Sequence, residues 1–208
     1  MKDRRLKESC SWQAVKHHRR LFPFAGFACL LIVVLHIPCS VSSQDLTTTN
    51  PYKVKAAFLL NFSHYVNWPE KAFLEVHSPW QICILGKDPF GLVLDKTFEG
   101  RTERGRPFTI HRASTLGKLP NCQIIYIAYD DPAKRRAALF ALKEQPVLTV
   151  GEAIEFLWEG GIVQFQEEER IKFNMNLDQA QTAGLAIRTA LLEVATAILH
   201  DGILRPRK

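Results

Sequence analysis

Residues 86–93, GKDPFGLV, have the glycine spacing of a phosphate-binding loop and lie between a predicted strand and a predicted helix. In such a loop a lysine and then a serine or threonine follow the second glycine, because these side chains hold the phosphates and Mg²⁺. Leu92 and Val93 occupy those positions in this chain. The motif therefore predicts a strand-to-helix turn, whose helix start has backbone amides able to bind an anion.

Catalysis by a cysteine or a metal is not supported by the residue pattern. A nucleophilic cysteine requires a lowered thiol pKa and a histidine partner. The four histidines beyond residue 43 are far apart in the chain, and no group of His, Cys, Asp and Glu residues has the spacing of a metal site. We therefore predict a protein that is not an enzyme, with no catalytic residues, no metal and no cofactor.

The first 43 residues differ from the rest of the chain. A basic segment precedes an apolar run over residues 21–37, and the small-residue stretch SVSSQ follows. This order predicts a secretory signal peptide over residues 1–43. The apolar run also approaches the length that spans a bilayer, so the alternative is an uncleaved leader that tethers the protein to the inner membrane. Residues 44–50 are then a polar lead-in, residues 51–202 the folded domain and residues 203–208 a basic tail.

The net charge of +6 belongs mostly to this leader. Residues 1–43 hold seven of the 27 Lys and Arg and two of the 21 Asp and Glu, which leaves 20 positive and 19 negative charges. A nearly neutral domain has none of the electrostatic character of a nucleic-acid-binding protein. We predict no nucleic-acid partner.

Cys83 and Cys122 are the two cysteines that follow the leader. An exported domain with two cysteines is expected to contain one disulfide. Each cysteine begins an apolar run typical of a strand, and neighbouring strands would bring the alpha carbons within the ~4.4–6.8 Å that a disulfide needs. Closing a loop of this length stabilises a domain by about 4 kcal/mol in the chain-entropy model.

Helix starts and buried strands alternate along the chain. Asn50-Pro51, Asp88-Pro89 and Asp131-Pro132 share one helix-start chemistry, an Asx cap followed by proline. Strands are predicted over residues 80–85, 107–111, 123–128 and 147–150, and helices from residue 51 to Trp68 and over residues 90–98, 133–143, 152–158 and 177–200. We predict a single three-layer α/β domain. Its mixed, mostly parallel sheet has an antiparallel C-terminal hairpin at one edge and helices on both faces.

The hairpin is predicted from period-two alternation between residues 160 and 176. Apolar side chains alternate with five polar ones, and these are Gln164, Gln166, Lys172, Asn174 and Asn176. One face is therefore expected to be buried and the other solvated. The solvated face of an edge hairpin is also a candidate partner-binding surface, because side chains and unpaired backbone are offered together. From Leu177 the spacing changes to steps of three and four, which predicts one long amphipathic helix with a broad apolar stripe.

Three segments resemble the YfiR family of small periplasmic proteins. They are YKVKAAFLLNFSHYVNWP, TVGEAIEFLWEGGIVQF and RIKFNMNLDQAQTAGLAIRTALLEVA, and the resemblance covers residues 51–199. It implies a periplasmic inhibitor that binds the periplasmic region of a YfiN-type diguanylate cyclase in the inner membrane and lowers cyclic di-GMP, with biofilm formation downstream. It also implies sequestration by a YfiB-type outer-membrane lipoprotein, a homodimer, and a cystine at Cys83 and Cys122. The second cystine of some members is absent, so redox behaviour based on it does not transfer.

Two other classes of protein fit the residues. One is a periplasmic small-ligand-binding accessory protein of a transport or signalling operon, which requires a pocket with convergent polar groups. The other is an enzyme, which requires a cluster of titratable side chains that the pattern does not indicate.

Overall fold

The computed structural model describes residues 50–207. The predicted signal peptide and most of the polar lead-in lie outside these residues. The helices are α1 (Pro51–Tyr65), α2 (Leu92–Phe98), α3 (Pro132–Leu142), α4 (Leu177–Thr182) and α5 (Thr189–Val194). The strands are β1 (Val66–Asn67), β2 (Trp80–Gly86), β3 (Thr102–Glu103), β4 (Arg106–Ala113), β5 (Ile124–Ala128), β6 (Leu148–Gly151), β7 (Val163–Glu167), β8 (Ile171–Asn176), β9 (Ala186–Ile187), β10 (Ala197–His200) and β11 (Ile203–Pro206). Within residues 50–207, every helix is too short or too polar to cross a bilayer.

Nine strands form one mixed sheet in the order β11-β10-β8-β7-β6-β5-β2-β4-β3. Strands β4, β2, β5, β6 and β7 are parallel. Antiparallel pairing joins β7 to β8, β10 to β11 and β3 to β4. The predicted α/β class and mostly parallel mixed sheet are confirmed.

Both faces of the sheet are covered, as the strand pattern predicts. Ile82 and Ile84 of β2 belong to one buried cluster, which includes Leu59 and Phe62 of α1. Cys83 and Leu85 alternate with them and belong to a second cluster, which includes Ala138, Leu139 and Leu142 of α3. Fully burying a side chain such as Leu59 or Phe62 contributes about 1.5–3 kcal/mol, so these two helices stabilise the domain through the sheet between them.

The Asx-Pro pairs cap the chain as predicted, with one difference. Asn50 Oδ1 accepts a hydrogen bond from the Tyr52 amide at 3.0 Å, and Asp131 Oδ1 accepts one from the Ala133 amide at 2.8 Å. Asp88 Oδ1 accepts one from the Phe90 amide at 2.7 Å, but this forms a turn, and α2 begins only at Leu92. The Asx side chain therefore starts a helix at two sites and only a turn at the third.

The predicted long helix over residues 177–200 is wrong. Asn176 caps α4 as predicted, with its Oδ1 accepting from the Gln179 amide at 2.9 Å. The helix ends six residues later because Gly184 adopts φ +71°, which glycine tolerates. The Leu185 amide then donates to the Ala180 carbonyl and the Gly184 amide to the Gln181 carbonyl, which is the Schellman pattern of a helix end.

The apolar stripe of that predicted helix is divided among several elements. Ile187 pairs with Val66 in the β1–β9 ribbon, Leu191 is buried on α5, and Leu199 is buried on β10. Strand β10 pairs in parallel with β8. The stripe is therefore not one helical face, and a homodimer interface on such a face has no basis in this fold.

The hairpin of β7 and β8 forms as predicted, but it lies inside the sheet. Strands β10 and β11 lie beyond β8, so the antiparallel C-terminal edge is made by residues 197–206. The Arg207 amide donates to the Thr196 carbonyl, and this register turns the backbone of Leu204 and Pro206 outward. Proline has no N–H to leave unpaired at an edge, which limits further strand addition there.

Residues 152–158 form turns and not the predicted helix. The ring of Phe156 is fully buried, and it lies between Gly151 and Gly161 so closely that a Cβ at either glycine would overlap it. We call residues 151–161 the clamp loop. Two glycines are required here by packing, because the backbone must approach an aromatic ring on both sides.

We predict that Gly161→Ala lowers the free energy of unfolding by about 2–3 kcal/mol, because the added methyl group overlaps a packed core ring. Gly117→Ala is the matched control. No neighbouring atom lies within 4 Å of the Cβ position at Gly117, so its effect should stay below about 0.5 kcal/mol. Urea denaturation measures both variants, and Phe156→Leu in the Gly161→Ala background should recover part of the loss. Equal effects at Gly161 and Gly117 would contradict the packing argument.

Candidate functional site

The strand order of the sheet changes direction between the parallel strands β2 and β5. The connection leaving β2 leads to β4 on one side, whereas the connection leaving β5 leads to β6 on the other. Their carboxyl ends are adjacent, with Gly86 opposite Ala128. In open α/β sheets a crevice forms outside the strand ends at such a switch point, and ligands bind there.

A cavity of about 680 Å³ occupies this position, and we call it the switch-point crevice. Its walls come from α1 and from the loops that follow β2, β5 and β6. The lining residues are Tyr52, Lys87, Asp88, Pro89, Tyr126, Ile127, Ala128, Tyr129, Asp130, Arg135, Glu152 and Ala153. The chain can turn at its mouth because Gly86 has φ +108°, and a Cβ there would lie 2.7 Å from the Ala128 carbonyl oxygen.

A buried lysine, Lys55, lies behind the crevice and contacts two of its lining residues, Tyr52 and Glu152. The side chain of Lys55 is fully buried, and its Nζ lies 2.9 Å from a carboxylate oxygen of Glu152 and 2.9 Å from one of Glu167. Burial lowers the pKa of Lys55, but hydrogen bonds to Glu152 and Glu167 outweigh this effect and raise the pKa above its ordinary value. Lys55 is therefore a permanent ammonium that joins α1 to the clamp loop and to the end of β7.

Tyr126 completes this network. Its hydroxyl donates to a carboxylate oxygen of Glu152. Burial, followed by the negative charge of Glu152, raises the pKa of Tyr126 far above its ordinary value, so the phenol stays protonated and remains a donor. Glu152 thus receives hydrogen bonds from a buried phenol and a buried ammonium, while 32% of its side chain stays exposed to the crevice.

The rim of the crevice is held by ion pairs of two arginines, Arg112 and Arg135. Arg112 Nε lies 2.6 Å from Asp88, and Arg112 also reaches Asp95 at 2.7 Å, which fixes the loop after β2. Arg135 Nε donates to Glu159 at 2.5 Å and joins α3 to the clamp loop. The hydrogen bond from Arg135 is the main reason that the pKa of Glu159 lies below its ordinary value.

The structure contains the predicted disulfide between Cys83 and Cys122. Their alpha carbons are 6.1 Å apart, and both residues lie in the buried cluster between the sheet and α3. The bond ties the centre of β2 to the residue that leads into β5. It therefore stabilises the strand pair whose ends form the crevice.

The five hairpin residues proposed for partner binding fall into two groups. Gln164, Asn174 and Asn176 are at most 6% exposed. Gln164 Nε2 donates to the carbonyls of Ala153 and Ile154 at 2.8 and 2.9 Å, Asn176 Nδ2 to the Leu157 carbonyl at 3.1 Å, and Asn174 Nδ2 to Gln164 Oε1 at 3.2 Å. These three residues hold the clamp loop, so the predicted solvated face is covered there.

Gln166 and Lys172 stay partly exposed on the same face. Lys172 Nζ forms an ion pair with Glu168 at 2.5 Å, close to the hairpin turn. These two residues are the accessible part of the surface that the hairpin pattern suggests. Polar side chains facing a loop and polar side chains facing water give the same alternation, which is why sequence could not separate the two groups.

The loop over residues 86–93, identified from its glycine spacing, contributes Lys87, Asp88 and Pro89 to the crevice. The network of Lys55, Glu152 and Tyr126 was missed, although one signal was present. Lys55 lies one turn before Leu59 and two turns before Phe62, on the mostly apolar buried face of α1. A lysine at such a position must be paired or lie at a site, because an unpaired buried ammonium is costly. Its partners Glu152 and Glu167 lie about a hundred residues away, so only the fold could identify them.

A cluster of Asp178, His200 and Asp201 has a local structural role. The carboxylate of Asp178 accepts from the backbone amides of Asp201 and Gly202, both at 2.9 Å, and these bonds hold its pKa below the ordinary value. His200 Nδ1 lies 3.1 Å from the same carboxylate. Asp178 thereby anchors the turn between β10 and β11 to α4.

Taken together, the fold and site define a class: a disulfide-linked α/β domain with a preformed crevice at its switch point. The chain belongs to the YfiR/HmsC-like family, whose model matches residues 52–196. The family consists of regulatory proteins of the periplasm, associated with a diguanylate cyclase partner and not known as enzymes. No curated protein matches the chain.

We predict that the Lys55–Glu167 pair has a coupling energy of about 1–3 kcal/mol, because one partner is fully buried. A double-mutant cycle of Lys55→Met and Glu167→Gln measures it by chemical denaturation. The exposed pair Lys172–Glu168 is the matched control, and Lys172→Met with Glu168→Gln should give less than about 0.5 kcal/mol. A coupling energy at Lys55 no larger than the control value would show that the network does not stabilise the fold.

Glu159 should contribute to acid sensitivity. Its folded pKa is lowered, so its contribution to stability is present above the ordinary value of 4.5 and is lost as pH falls through the folded value. Glu159→Gln should therefore be less stable than wild type at neutral pH, and the gap should narrow between about pH 5 and 3. Thermal denaturation across this range measures the gap, with the exposed Glu144→Gln as control. A gap that stays constant with pH would exclude this role.

Proposed function

We propose that this protein represses an inner-membrane diguanylate cyclase of the YfiN type by binding its periplasmic region, and that this lowers cyclic di-GMP and biofilm formation. The observation that carries the proposal is the family match across residues 52–196, which covers nearly all of the folded domain. A YfiB-type lipoprotein of the outer membrane would release the cyclase by sequestering the repressor. We also propose that the protein acts in the periplasm, after export by residues 1–43, and that it is a homodimer.

Repression by contact requires a difference in affinity between two states of the cyclase. A ligand that binds one state more tightly shifts the population toward it, and a tenfold difference corresponds to about 1.4 kcal/mol. The repressor needs no chemistry of its own for this, only a surface with a few strongly binding side chains. Aromatic residues and arginine are enriched among such side chains.

The clamp loop and α3 carry a surface of this kind. Phe140 is 81% exposed and Trp158 is 61% exposed, although both are large apolar side chains. Arg136 lies one turn before Phe140, and its Nη1 donates at 3.3 Å to Oε1 of Glu159, the residue that follows Trp158 in the chain. The ion pair therefore joins the two segments that carry these exposed rings, and we propose that the cyclase docks on the aromatic surface formed by Phe140 and Trp158. The accessible hairpin residues Gln166 and Lys172 are the second candidate surface.

The proposal is tested by deletion and complementation in the native organism. Deletion should raise cellular cyclic di-GMP, and wild-type protein should lower it again and co-purify with a membrane cyclase. The double variant Phe140→Ala/Trp158→Ala should reach wild-type abundance yet lose most of this effect, since each hot-spot truncation costs about 2 kcal/mol or more. Val194→Ala is the control, because Val194 is as exposed as Trp158 but lies on α5.

The outcomes distinguish between the two candidate docking surfaces, and they test the repressor function separately. If Gln166→Ala/Lys172→Ala loses repression while the aromatic variant keeps it, the docking surface is the hairpin. Unchanged cyclic di-GMP after deletion, with no cyclase in the co-purified fraction, would exclude the repressor function itself.

A further inference from the structure

We infer that the switch-point crevice binds a small organic ammonium compound with a planar apolar body. The inference rests on the geometry and charge of the crevice and is independent of the proposed repressor function. It assigns to this domain a ligand site in addition to a protein-binding surface.

The crevice has the size and the rigidity of a small-molecule site. Its volume of about 680 Å³ lies within the range of about 300–1,000 Å³ typical of ligand pockets. Its walls are already held in place: Tyr129 Oη donates to the Ser114 carbonyl at 2.7 Å, and Asp88 is fixed by Arg112 at 2.6 Å. A ligand therefore meets a preformed pocket and loses little affinity to reorganisation.

The charges around the crevice determine whether it favours a cationic or an anionic ligand. Asp88 forms an ion pair with Arg112, which also pairs with Asp95, and Arg135 forms one with Glu159. Lys55 lies behind the lining and shares its single ammonium between Glu152 and Glu167, so the charge of Glu152 is only partly neutralised. At the rim Lys87 and Asp130 are exposed, have no ion-pair partner within residues 50–207, and balance each other. The lining itself holds two cations, Lys87 and Arg135, and three carboxylates, those of Asp88, Asp130 and Glu152. This excess of one negative charge favours a monocation or a zwitterion over an anion.

The apolar part of the lining favours a planar body. Tyr52, Tyr126 and Tyr129 supply three aromatic rings, and Pro89 and Ala153 supply small apolar surfaces. Aromatic faces attract cations, and the ring of Tyr52 already does so, since Lys55 Nζ lies 4.4 Å from its centroid. An ammonium group near Glu152 with its body against these rings satisfies both features. Each carboxylate oxygen of Glu152 has two lone-pair sites, so acceptor capacity remains toward the crevice.

Three probes that share a phenylethyl body and differ in charge separate the effect of charge from that of shape. They are 2-phenylethylammonium, the neutral 2-phenylethanol and the anionic 3-phenylpropionate, titrated into the purified protein at neutral pH by calorimetry. We expect the ammonium compound to bind with a Kd below about 1 mM and at least tenfold more tightly than the alcohol. The carboxylate should bind most weakly. Equal or tighter binding of the alcohol or the carboxylate, or no saturable binding of the ammonium compound, would overturn the inference.

Variants locate the site. Glu152→Gln removes the negative charge but keeps a side-chain oxygen that can accept from the Tyr126 hydroxyl. Asp130→Asn removes a negative charge at the exposed rim, where the packing of the core does not depend on the side chain. Each should weaken binding of the ammonium probe about fivefold or more, while Glu144→Gln, a matched change far from the crevice lining, leaves it unaltered. Unchanged affinity in both crevice variants would place the ligand elsewhere. Because these titrations need no cyclase, their failure leaves the repressor proposal standing, and the reverse holds as well.

Discussion

Both faces of the β2–β5 strand pair are closed to water, and this constraint governs the arrangement of the other elements. Helix α1 covers one face and α3 the other, so each strand must be apolar at every central position. Parallel strands require crossover connections, and these place helices on the sheet faces. The disulfide between Cys83 and Cys122 links the centre of β2 covalently to the segment that leads into β5.

The same pair determines where a site can form. Because the chain leaves β2 and β5 in opposite directions, their loops separate and leave a crevice at the carboxyl ends. The polar groups of this crevice come from α1, β5, α3, the clamp loop and the loops after β2 and β5, several of which are distant in sequence. Lys55 binds two carboxylates, so one buried ammonium links α1 to the clamp loop and to the hairpin.

The clamp loop combines two features in one segment, a tightly packed interior and an exposed apolar surface. Phe156 is held between Gly151 and Gly161, and the polar side chains of the hairpin bind the loop carbonyls from below. The other side of the loop carries Trp158 and Ile154, which are largely exposed. A rigid loop with exposed apolar side chains suits protein recognition, because little conformational freedom is lost when a partner binds.

The sequence by itself determined the elements whose signals are local. The Asx-Pro caps, the doubly buried strands, the hairpin alternation, the disulfide and the YfiR-type motifs each lie in a short stretch or a spacing, and the α/β class follows from them. Only the tertiary structure decided the secondary structure that follows Asn176, because the same apolar spacing suits one long helix or several short elements. In the fold, α4 ends at Gly184 and residues 197–199 pair in parallel with β8. Likewise, only the fold could show that Gln164, Asn174 and Asn176 face a loop and that Lys55 meets Glu152 and Glu167. Those contacts join residues ten to over a hundred positions apart, and burial of a polar side chain depends on what lies opposite it in space.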